Sequence, residues 1–560
     1  MKNTYIVGLN IGNHDSSACL LKNGEIVSYI EQERISRNKL AIGEAPIDAL
    51  KACLRTENIT LKDVDAIALG MDWSLRREKY QEPIEERNKY LRFNNPDWYL
   101  PKEIFGEIRP EIFYIKHHFA HAASAARLSG FEKAAVLVID NRGEEHSTSL
   151  GVFKDGKISF FKQINIQNSL GVFYNRACRF TGLYGKYREV GKFMGLASYG
   201  NPCIPMPLEA SRDSQLFKSL PNIENTSIYD SIQLRTNQLN EYFINNCFPY
   251  EAGNVEDIMS YANFAASAQK ALEDVILDFV AELKEKTGFE NLVLAGGVAL
   301  NCSANGKIEK SGLFRNIFIP PFASDGGTAI GAALETSYKI NGIPKTKKAL
   351  KLANLGIAYK NEETNKMFDS YADKIKKTTY KEEELYSYVA EKISQGKIVA
   401  WMQDGFEAGP RALGNRSILA DPRKRNSLIK LNNIKQREMW RPIAPSVLEE
   451  NYSDFFEGSL DNKYFMNVAT LVKKQKQKII PAVVHVDETA RPQAVNKDNI
   501  KYYKLISAFY EKTGVPVLCN TSFNLKGVPL VNSPQDAIEC FLKCDIDILV
   551  IGNLVFHKKR

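Results

Sequence analysis

A pattern of three short strands joined by polar turns occurs twice in the first third of the chain. The first copy runs from Tyr5 to Ile30, and its second turn is Lys22-Asn23-Gly24-Glu25. The second copy runs from Ala134 to Phe161, with Lys154-Asp155-Gly156-Lys157 at the equivalent place. Runs of β-branched and apolar residues bounded by Asn-Gly or Asp-Gly turns are typical of β-hairpins. Because the type and the place of the turn recur together, the sequence predicts an internal duplication.

Two such units, each with a polar turn after its first strand, indicate the duplicated actin-like, sugar-kinase-like α/β fold. In that arrangement the paired turns face each other and hold the phosphates of a nucleotide. The alternative is two unrelated three-stranded sheets, since Lys-Asp-Gly-Lys is an easily repeated turn.

The composition is that of a globular protein with more than one folding unit. The chain has 560 residues, 44% hydrophobic and 25% charged, so about two to four domains are expected. The formal net charge of +8 comes without a long basic run. Nucleic-acid binding therefore has no support, whereas acidic small molecules such as nucleotides and acyl phosphates suit the charge.

The cysteines and the hydropathy pattern indicate the compartment. Nine cysteines without a Cys-x-x-Cys pair imply no disulfide framework. No apolar stretch approaches the roughly 18 residues that a membrane span needs. We therefore expect a soluble, cytoplasmic protein with no membrane partner.

Glycine-rich loops after predicted strands are candidates for nucleotide contacts. A strand at Asn291 to Leu294 leads into AGGVALNCSANG, a second predicted strand leads into ASDGGTAIGAA, and GKFMGLASYG lies further upstream. Glycines let a backbone approach a phosphate closely, although they serve tight helix packing equally well. The chain has no GxxxxGK[ST] phosphate loop. The candidate nucleotide-binding residues are Lys192, Gly195, Gly296, Gly297, Asn301 and Gly326.

Two histidines and two aspartates form a candidate metal site. His117 and His121 are four residues apart in HHFAH, so on a helix they share one face. Asp140 ends the following strand, and Asp325 lies in the later Asp-Gly-Gly turn. Two imidazoles with two carboxylates suit Fe(II), Zn or Mn better than Ca. A purely structural metal and simple core packing of the histidines are the alternatives.

The stretch from Gly405 to Leu448 is rich in cations among glycines. Guanidinium groups bind phosphate or carboxylate through two parallel hydrogen bonds, and buried unpaired arginines are costly. The stretch therefore predicts a bound anion or internal ion pairs. Its cationic residues are Arg411, Arg416, Lys435, Arg437 and Arg441.

His14, in the polar turn Gly-Asn-His-Asp-Ser-Ser, is a candidate general base. An imidazole titrates near neutral pH and could take the proton of an acceptor hydroxyl. The alternative is a histidine that only caps or packs.

Four long motifs identify the family that this chain resembles. They are EAGPRALGNRSILADPR, KQREMWRPIAPSVL, HVDETARPQAV and NTSFNLKG. They resemble the ATP-dependent O-carbamoyltransferases, which tailor antibiotics and nodulation factors, and the likeness runs from about Tyr5 to Asn553. It implies that carbamoyl phosphate and ATP, with Mg, give carbamoyl-adenylate, whose carbamoyl group passes to a hydroxyl of a small-molecule natural product.

The resemblance also implies domains. Residues 1–345 would be an actin-like carbamoyl-transfer domain related to tRNA threonylcarbamoyl transferases, with the metal and the nucleotide. Residues 346–380 would be a linker. Residues 381–560 would be a smaller α/β domain that resembles threonylcarbamoyl-adenylate synthases (YrdC-like) and activates carbamoyl phosphate. A homodimer is compatible with this reading.

Individual residues take roles from the resemblance. His14 matches the histidine that activates the acceptor, Lys39 matches a lysine near the acyl nucleotide, and the His-x-x-x-His pair with its aspartates matches an iron site. The residues that match carbamoyl-phosphate contacts are Arg416, Lys435, Arg441, Arg491, Asn520 and Ser522.

Three departures from the family pattern leave these residues intact. Asn141 and Glu488 stand where the family commonly has glycine, and Gly527-Val528-Pro529 replaces a glycine-acid-proline run. Two other functions stay open. A tRNA threonylcarbamoyl transferase would need a clustered basic surface, and a non-catalytic nucleotide-binding regulator would be expected to lose His14, the histidine pair or the arginine stretch.

Overall fold

The computed structural model describes residues 3–75, 84–183, 189–210, 212–223, 226–247, 257–342, 348–459 and 463–559. The chain divides into two compact units. Unit 1 comprises Met1–Gln32 and Leu40–Leu350, and unit 2 comprises Glu33–Lys39 and Lys351–Arg560.

Unit 1 contains two five-stranded sheets with the same topology. One has the order β3-β2-β1-β4-β5 and the other the order β8-β7-β6-β9-β10. In each sheet the first three strands are antiparallel, and the last two are parallel to the first. The predicted duplication and the duplicated α/β fold class are thereby confirmed. In the described ranges the strands are β1 (Tyr5–Asn10), β2 (Ser17–Lys22), β3 (Glu25–Glu31), β4 (Ala66–Leu69), β5 (Glu111–Tyr114), β6 (Lys133–Ile139), β7 (His146–Lys154), β8 (Lys157–Asn165), β9 (Asn291–Ala295) and β10 (Asn316–Phe318).

The turns that close the two hairpins explain why the pattern was readable from sequence. Asn23 and Gly24 both have positive φ, of 53° and 84°, and Asp155 and Gly156 follow with 52° and 73°. Two successive left-handed residues form the tight turn whose twist matches that of antiparallel strands, and Asn-Gly and Asp-Gly adopt it most readily.

Both units contain helices within the described ranges. They are α1 (Gln32–Ser36), α2 (Ile47–Thr56), α3 (Ile84–Phe93), α4 (Pro96–Tyr99), α5 (Lys102–Phe105), α6 (His117–Ala126), α7 (Leu170–Phe180), α8 (Val190–Ala197), α9 (Ile228–Asn246), α10 (Ala262–Thr287), α11 (Cys302–Ser311), α12 (Thr328–Asn341), α13 (Asn361–Asp369), α14 (Glu382–Ser394), α15 (Asn426–Ile434), α16 (Tyr452–Phe455), α17 (Lys474–Gln477), α18 (Ile500–Thr513) and α19 (Pro534–Leu542).

Close packing of α12 fixes the centre of unit 1. A Cβ on Gly8 of β1 would lie 1.9 Å from the carbonyl oxygen of Ala329, and one on Gly331 would lie 1.7 Å from that of Ala120 in α6. Only glycine fits at either place. The start of α12, the end of β1 and helix α6 are therefore held together, and the candidate site lies at this junction.

Unit 2 is built on one eight-stranded mixed sheet with the order β11-β20-β19-β12-β13-β18-β14-β17, beside a two-stranded sheet of β15 and β16. Its core includes Trp401, Tyr452, Tyr502 and Phe509, all fully buried. Its strands are β11 (Ile375–Thr379), β12 (Val399–Met402), β13 (Arg416–Ala420), β14 (Ala444–Leu448), β15 (Thr470–Leu471), β16 (Thr489–Ala490), β17 (Gln493–Val495), β18 (Val517–Ser522), β19 (Ile548–Ile551) and β20 (Leu554–Lys558).

Two segments of unit 2 differ from the domain boundaries expected from sequence. Within the expected linker, α13 forms and β11 pairs with β20 at the edge of the sheet. Residues Glu33–Lys39 also belong to unit 2. There Arg34 is buried and donates to the carbonyl of Gly409, and Arg37 donates to that of Pro529. Contacts so distant in sequence leave no local pattern.

None of the helices within the described ranges combines the length and apolar character that a membrane crossing requires.

Candidate functional site

The four predicted metal ligands lie together in unit 1. His117 and His121 are on the first turns of α6, Asp140 directly follows β6, and Asp325 begins the short 3-10 turn before α12. One ligand atom from each residue lies within 4.8 Å of every other. His117 Nε2 is 3.5 Å from Asp140 Oδ2, and both Nε2 atoms are 3.7 Å from Asp325 Oδ1.

The donor set fits a divalent metal. His117 Nδ1 lies 3.1 Å from the carbonyl oxygen of Gly70, which can only accept, so Nδ1 carries a proton, and in the neutral ring the lone pair is on Nε2. This Nε2 is 3.1 Å from Nε2 of His121. A neutral His117 would thus present Nε2 to another imidazole and two carboxylates, a donor set that can hold a divalent metal.

Hydrogen bonds between carboxylates and backbone N–H groups hold the segments that carry these residues in place. Glu144 is buried, and its carboxylate accepts the backbone N–H groups of His117, at 2.9 Å, and of Asp72, at 3.0 Å. Asp140 Oδ1 accepts the N–H of Gly297 at 2.9 Å. Glu144 satisfies an amide that the start of α6 leaves without an intrahelical partner. The sequence around Glu144 gives no sign of this role, because it depends on a contact 27 residues away.

Charge in the cluster is shared between the histidines and the aspartates. Burial and Asp325 raise the pKa of Asp140, but His117 and His121 outweigh them and hold it at about 2. Burial lowers the pKa of His117, yet Asp140 and Asp325 raise it well above its usual range. The site therefore favours positive charge at its centre.

His14 joins this cluster. Its Nδ1 is 3.1 Å from Asp15 Oδ2 and 3.8 Å from Asp325 Oδ2. Asp15 has φ of 57°, and its N–H is bonded to the carbonyl of Leu40. The polar turn after β1 thus holds the His14 ring, which is 27% exposed, beside the metal ligands.

The predicted nucleotide residues divide into two groups. Gly296 has φ of 92°, and a Cβ there would lie 2.2 Å from the carbonyl of Ile139. Gly296 and Gly297 thereby reach Asp140, and Gly326 follows Asp325. The other three lie apart from the ligands or are already engaged. Asn301 caps α11, Lys192 pairs with Glu189 at 2.6 Å, and Gly195 lies within α8. Their roles toward a nucleotide stay predictions.

Unit 2 contains a cluster of cations beside the end of β18, in which Lys435 is buried and the others are partly exposed. The ammonium group of Lys435 donates to Ser522 Oγ at 3.0 Å and to the Asn524 carbonyl at 2.6 Å. Burial, followed by the charges of Arg437, Arg441 and Lys39, lowers the pKa of Lys435 well below its ordinary value. Burial and the charges of Arg441 and Arg491 lower the pKa of Arg437 to about 9. Such crowding of like charges favours a bound anion.

Arg491 and Lys39 belong to this neighbourhood. Arg491 Nε is buried and makes no hydrogen bond to the described residues. Lys39 lies in the segment Glu33–Lys39 of unit 2, and its charge acts on Lys435. The structure therefore brings Lys39, Lys435, Arg441, Arg491 and Ser522 together.

Arg416 lies on the other face of the sheet. Ser417 pairs with Ser522 and Leu419 with Asn520, and paired residues share a face, so the side chain of Arg416 points the opposite way. Arg416 is fully buried and donates to the carbonyls of Gln403, Asp404, Asn415 and Asn532. In this structure it joins backbone segments, and its contact with carbamoyl phosphate stays a prediction.

Glu407 shapes the same loop and was missed in the sequence. It is buried, and its Oε1 accepts the N–H groups of Leu413, Asn415 and Arg416 at 2.8, 2.6 and 3.0 Å. One carboxylate oxygen thus fixes the turn of the arginine stretch. A glutamate beside two glycine-containing turns was the sole sequence signal.

Two protein-family models match this chain. Residues 5–334 match the protein-family model described as carbamoyltransferase N-terminus, and residues 390–558 match the one described as carbamoyltransferase C-terminus. Together the matches cover most of both units.

Curated relatives extend over the same range. The nodulation protein NolNO of Sinorhizobium fredii is 34% identical, over 98% of this chain and 79% of its own length. A 3'-hydroxymethylcephem-O-carbamoyltransferase of Amycolatopsis lactamdurans is 28% identical over 68% of this chain and 66% of its own. Among solved structures, full-length HypF aligns with 61% of this chain and 56% of its own at 13% identity and a TM-score of 0.32.

Proposed function

Because this chain belongs to the carbamoyltransferase family, we propose that it uses carbamoyl phosphate and ATP to carbamoylate a hydroxyl of a small-molecule natural product. The observation that carries this proposal is the cluster of cations around the buried Lys435. A small and highly charged anion such as an acyl phosphate would relieve the repulsion among these side chains.

The activation half of the reaction is assigned to unit 2. Water cleaves carbamoyl phosphate to carbamate and phosphate, and a carbamate oxygen then attacks the α-phosphorus of ATP. Pyrophosphate leaves, and the product is carbamoyl-adenylate. Lys435, Arg441 and Arg491 would bind phosphoryl oxygens, Lys39 would lie near the acyl nucleotide, and Mg²⁺ would accompany ATP. Fixed cations of this kind stabilise charge that develops on phosphoryl groups.

The transfer half is assigned to unit 1. The acceptor hydroxyl attacks the carbamoyl carbon, and AMP leaves. His14 takes the hydroxyl proton at Nε2, while Asp15 and Asp325 face its Nδ1 and orient the ring. A divalent metal such as Fe(II), held by the four ligands of α6, β6 and the turn before α12, would supply positive charge for the phosphate of the adenylate.

The acceptor class draws support from the relatives. Two of them are named as 3'-hydroxymethylcephem-O-carbamoyltransferases and others as nodulation proteins. A hydroxyl of a small natural product is therefore the acceptor that we propose for this chain.

The test is release of pyrophosphate from ATP by the full-length protein, with and without carbamoyl phosphate. We expect release to require carbamoyl phosphate and to fall at least about 100-fold in Lys435→Met, since a buried charged contact to an anion is lost. Lys430→Met is the matched control, because Lys430 lies on α15 and donates to a surface carbonyl. Pyrophosphate release that ignores carbamoyl phosphate, including with pooled acceptors, would overturn the proposal.

A further inference from the structure

Asn520 is held in one orientation by a chain of buried polar groups. It lies on β18, is 2% exposed, and its Nδ2 donates to the Ala412 carbonyl at 3.2 Å, to Ser446 Oγ at 3.0 Å and to Gln493 Oε1 at 3.3 Å. A backbone carbonyl can only accept, so the Ala412 carbonyl favours the nitrogen side of the Asn520 amide, and Ser446 and Gln493 supply two further acceptors on that side.

Gln493 is fixed by the next carbonyl along the chain. Its Nε2 donates to the Leu413 carbonyl at 2.7 Å, which turns its Oε1 toward Ser446 and Asn520. Ser446 Oγ donates to that Oε1 at 2.8 Å and accepts from Asn520. Ser446 and Gln493 are 0% and 4% exposed. A reversed Asn520 amide would place its oxygen against the oxygens of Ala412 and Gln493, which is repulsive.

Asn520 Oδ1 is thereby left as an unmatched acceptor, in a cluster that also contains the buried hydroxyl of Tyr502 beside Ser446 and Asn520. Asn520 Oδ1 is buried and makes no hydrogen bond to any residue that the structure describes. A buried acceptor without a donor costs about 1–3 kcal/mol, so native proteins keep few of them without a reason.

Asn520 lies two residues before Ser522, which contacts the cation cluster through Lys435. Asn520 and Ser522 share one face of β18, about 7 Å apart along the strand, and Ser522 Oγ accepts from Lys435. An anion held at Lys435 can therefore extend a second group toward Asn520 Oδ1. Carbamoyl phosphate has two N–H donors on the carbon that follows its phosphoryl group.

We propose that Gln493 and Ser446 are positioning residues, which fix the Asn520 amide so that Oδ1 accepts a hydrogen bond from the carbamoyl NH₂ group and selects carbamoyl phosphate over acyl phosphates without that donor. The inference rests on the proposed function, because it assigns the unmatched oxygen to the substrate of the same site. Gln493 and Ser446 act through Asn520 and touch no reacting atom.

Acetyl phosphate is the matched probe, since it has a methyl group where carbamoyl phosphate has NH₂. Affinity of each for the full-length protein can be measured by calorimetry without ATP. We expect the wild type to favour carbamoyl phosphate by about tenfold or more, the discrimination worth one buried hydrogen bond. Gln493→Leu and Ser446→Ala are expected to lower this ratio by at least about fivefold, because each variant removes one of the three acceptors that hold the nitrogen side of the Asn520 amide.

Asn499→Leu is the control. Asn499 donates to the same Leu413 carbonyl at 3.3 Å and contacts Asn415, yet it makes no bond to Asn520. The Asn499→Leu variant should lose stability as Gln493→Leu does, but it should keep the wild-type preference for carbamoyl phosphate over acetyl phosphate. A purely structural role for Gln493 would make the two variants alike in both respects.

The outcomes separate the two proposals. Wild-type protein that binds both phosphates equally, or a Gln493→Leu variant that keeps the full preference, overturns the inference and leaves the proposed function intact. Wild-type protein that binds neither phosphate overturns the proposed function, and the inference with it.

Discussion

His117 and His121 face each other through their Nε2 atoms at 3.1 Å, with the Nδ1 proton of His117 held by the carbonyl of Gly70. At that distance a proton on one of the two nitrogens makes a hydrogen bond to the other, and two unprotonated nitrogens could share a cation. Asp140 and Asp325 complete the group with carboxylate oxygens. The two carboxylates favour positive charge between the imidazoles, which a proton on His117 or a bound divalent metal would supply.

Substitution of one histidine should therefore remove the metal. Purified full-length protein is expected to hold about one divalent ion per chain, and His121→Ala about a tenth of that or less, because a three-ligand remnant binds weakly. Elemental analysis by mass spectrometry measures this. His118→Gln is the control, since His118 lies on the same helix but bonds Ser149. Equal metal content in wild type and His121→Ala would contradict the site.

Glu144 should stabilise the helix that carries both histidines. Glu144→Ala leaves the buried N–H of His117 without its acceptor, so we expect a loss of about 1–3 kcal/mol in the free energy of unfolding. Urea denaturation followed by circular dichroism measures it. A change below about 0.5 kcal/mol would show that the helix start is satisfied in another way.

The main contribution of Arg416 should be to the stability of the fold. Its guanidinium group donates to four backbone carbonyls, and a lysine cannot replace that planar fork. Arg416→Lys is expected to lower the free energy of unfolding by about 2–4 kcal/mol. Arg425→Lys, at an exposed position before α15, should change it little. An unchanged stability with abolished binding of carbamoyl phosphate would instead make Arg416 a direct ligand.

The pH dependence of stability should report on Lys435. Burial and neighbouring cations depress its pKa in the folded state, so between that value and the ordinary value of 10.5 the unfolded chain binds more protons. The contribution of Lys435 to the free energy of unfolding therefore rises as the pH increases through that window. Without anions, the wild type should gain more stability from pH 7 to pH 9.5 than Lys435→Met. Parallel pH profiles of the two proteins would contradict a depressed pKa.

The sequence predicted what local chemistry determines. The Asn23-Gly24 and Asp155-Gly156 turns marked the hairpins, because few dipeptides adopt two left-handed residues. The spacing of His117 and His121 on a helix was equally plain. The sequence could not reveal that Arg416 and Ser522 lie on opposite faces of the sheet, since strand register depends on tertiary pairing. Nor could it place Glu33–Lys39 in unit 2, or show that Glu144 and Glu407 hold backbone amides.

Carbamoyl phosphate should drive cleavage of ATP at its α-phosphorus. Phosphorus NMR of ATP, carbamoyl phosphate and the full-length protein identifies the products directly. We predict equal amounts of pyrophosphate and inorganic phosphate, with AMP appearing as the adenylate breaks down or meets an acceptor. Formation of ADP, or no nucleotide cleavage with pooled hydroxyl acceptors present, would contradict the account.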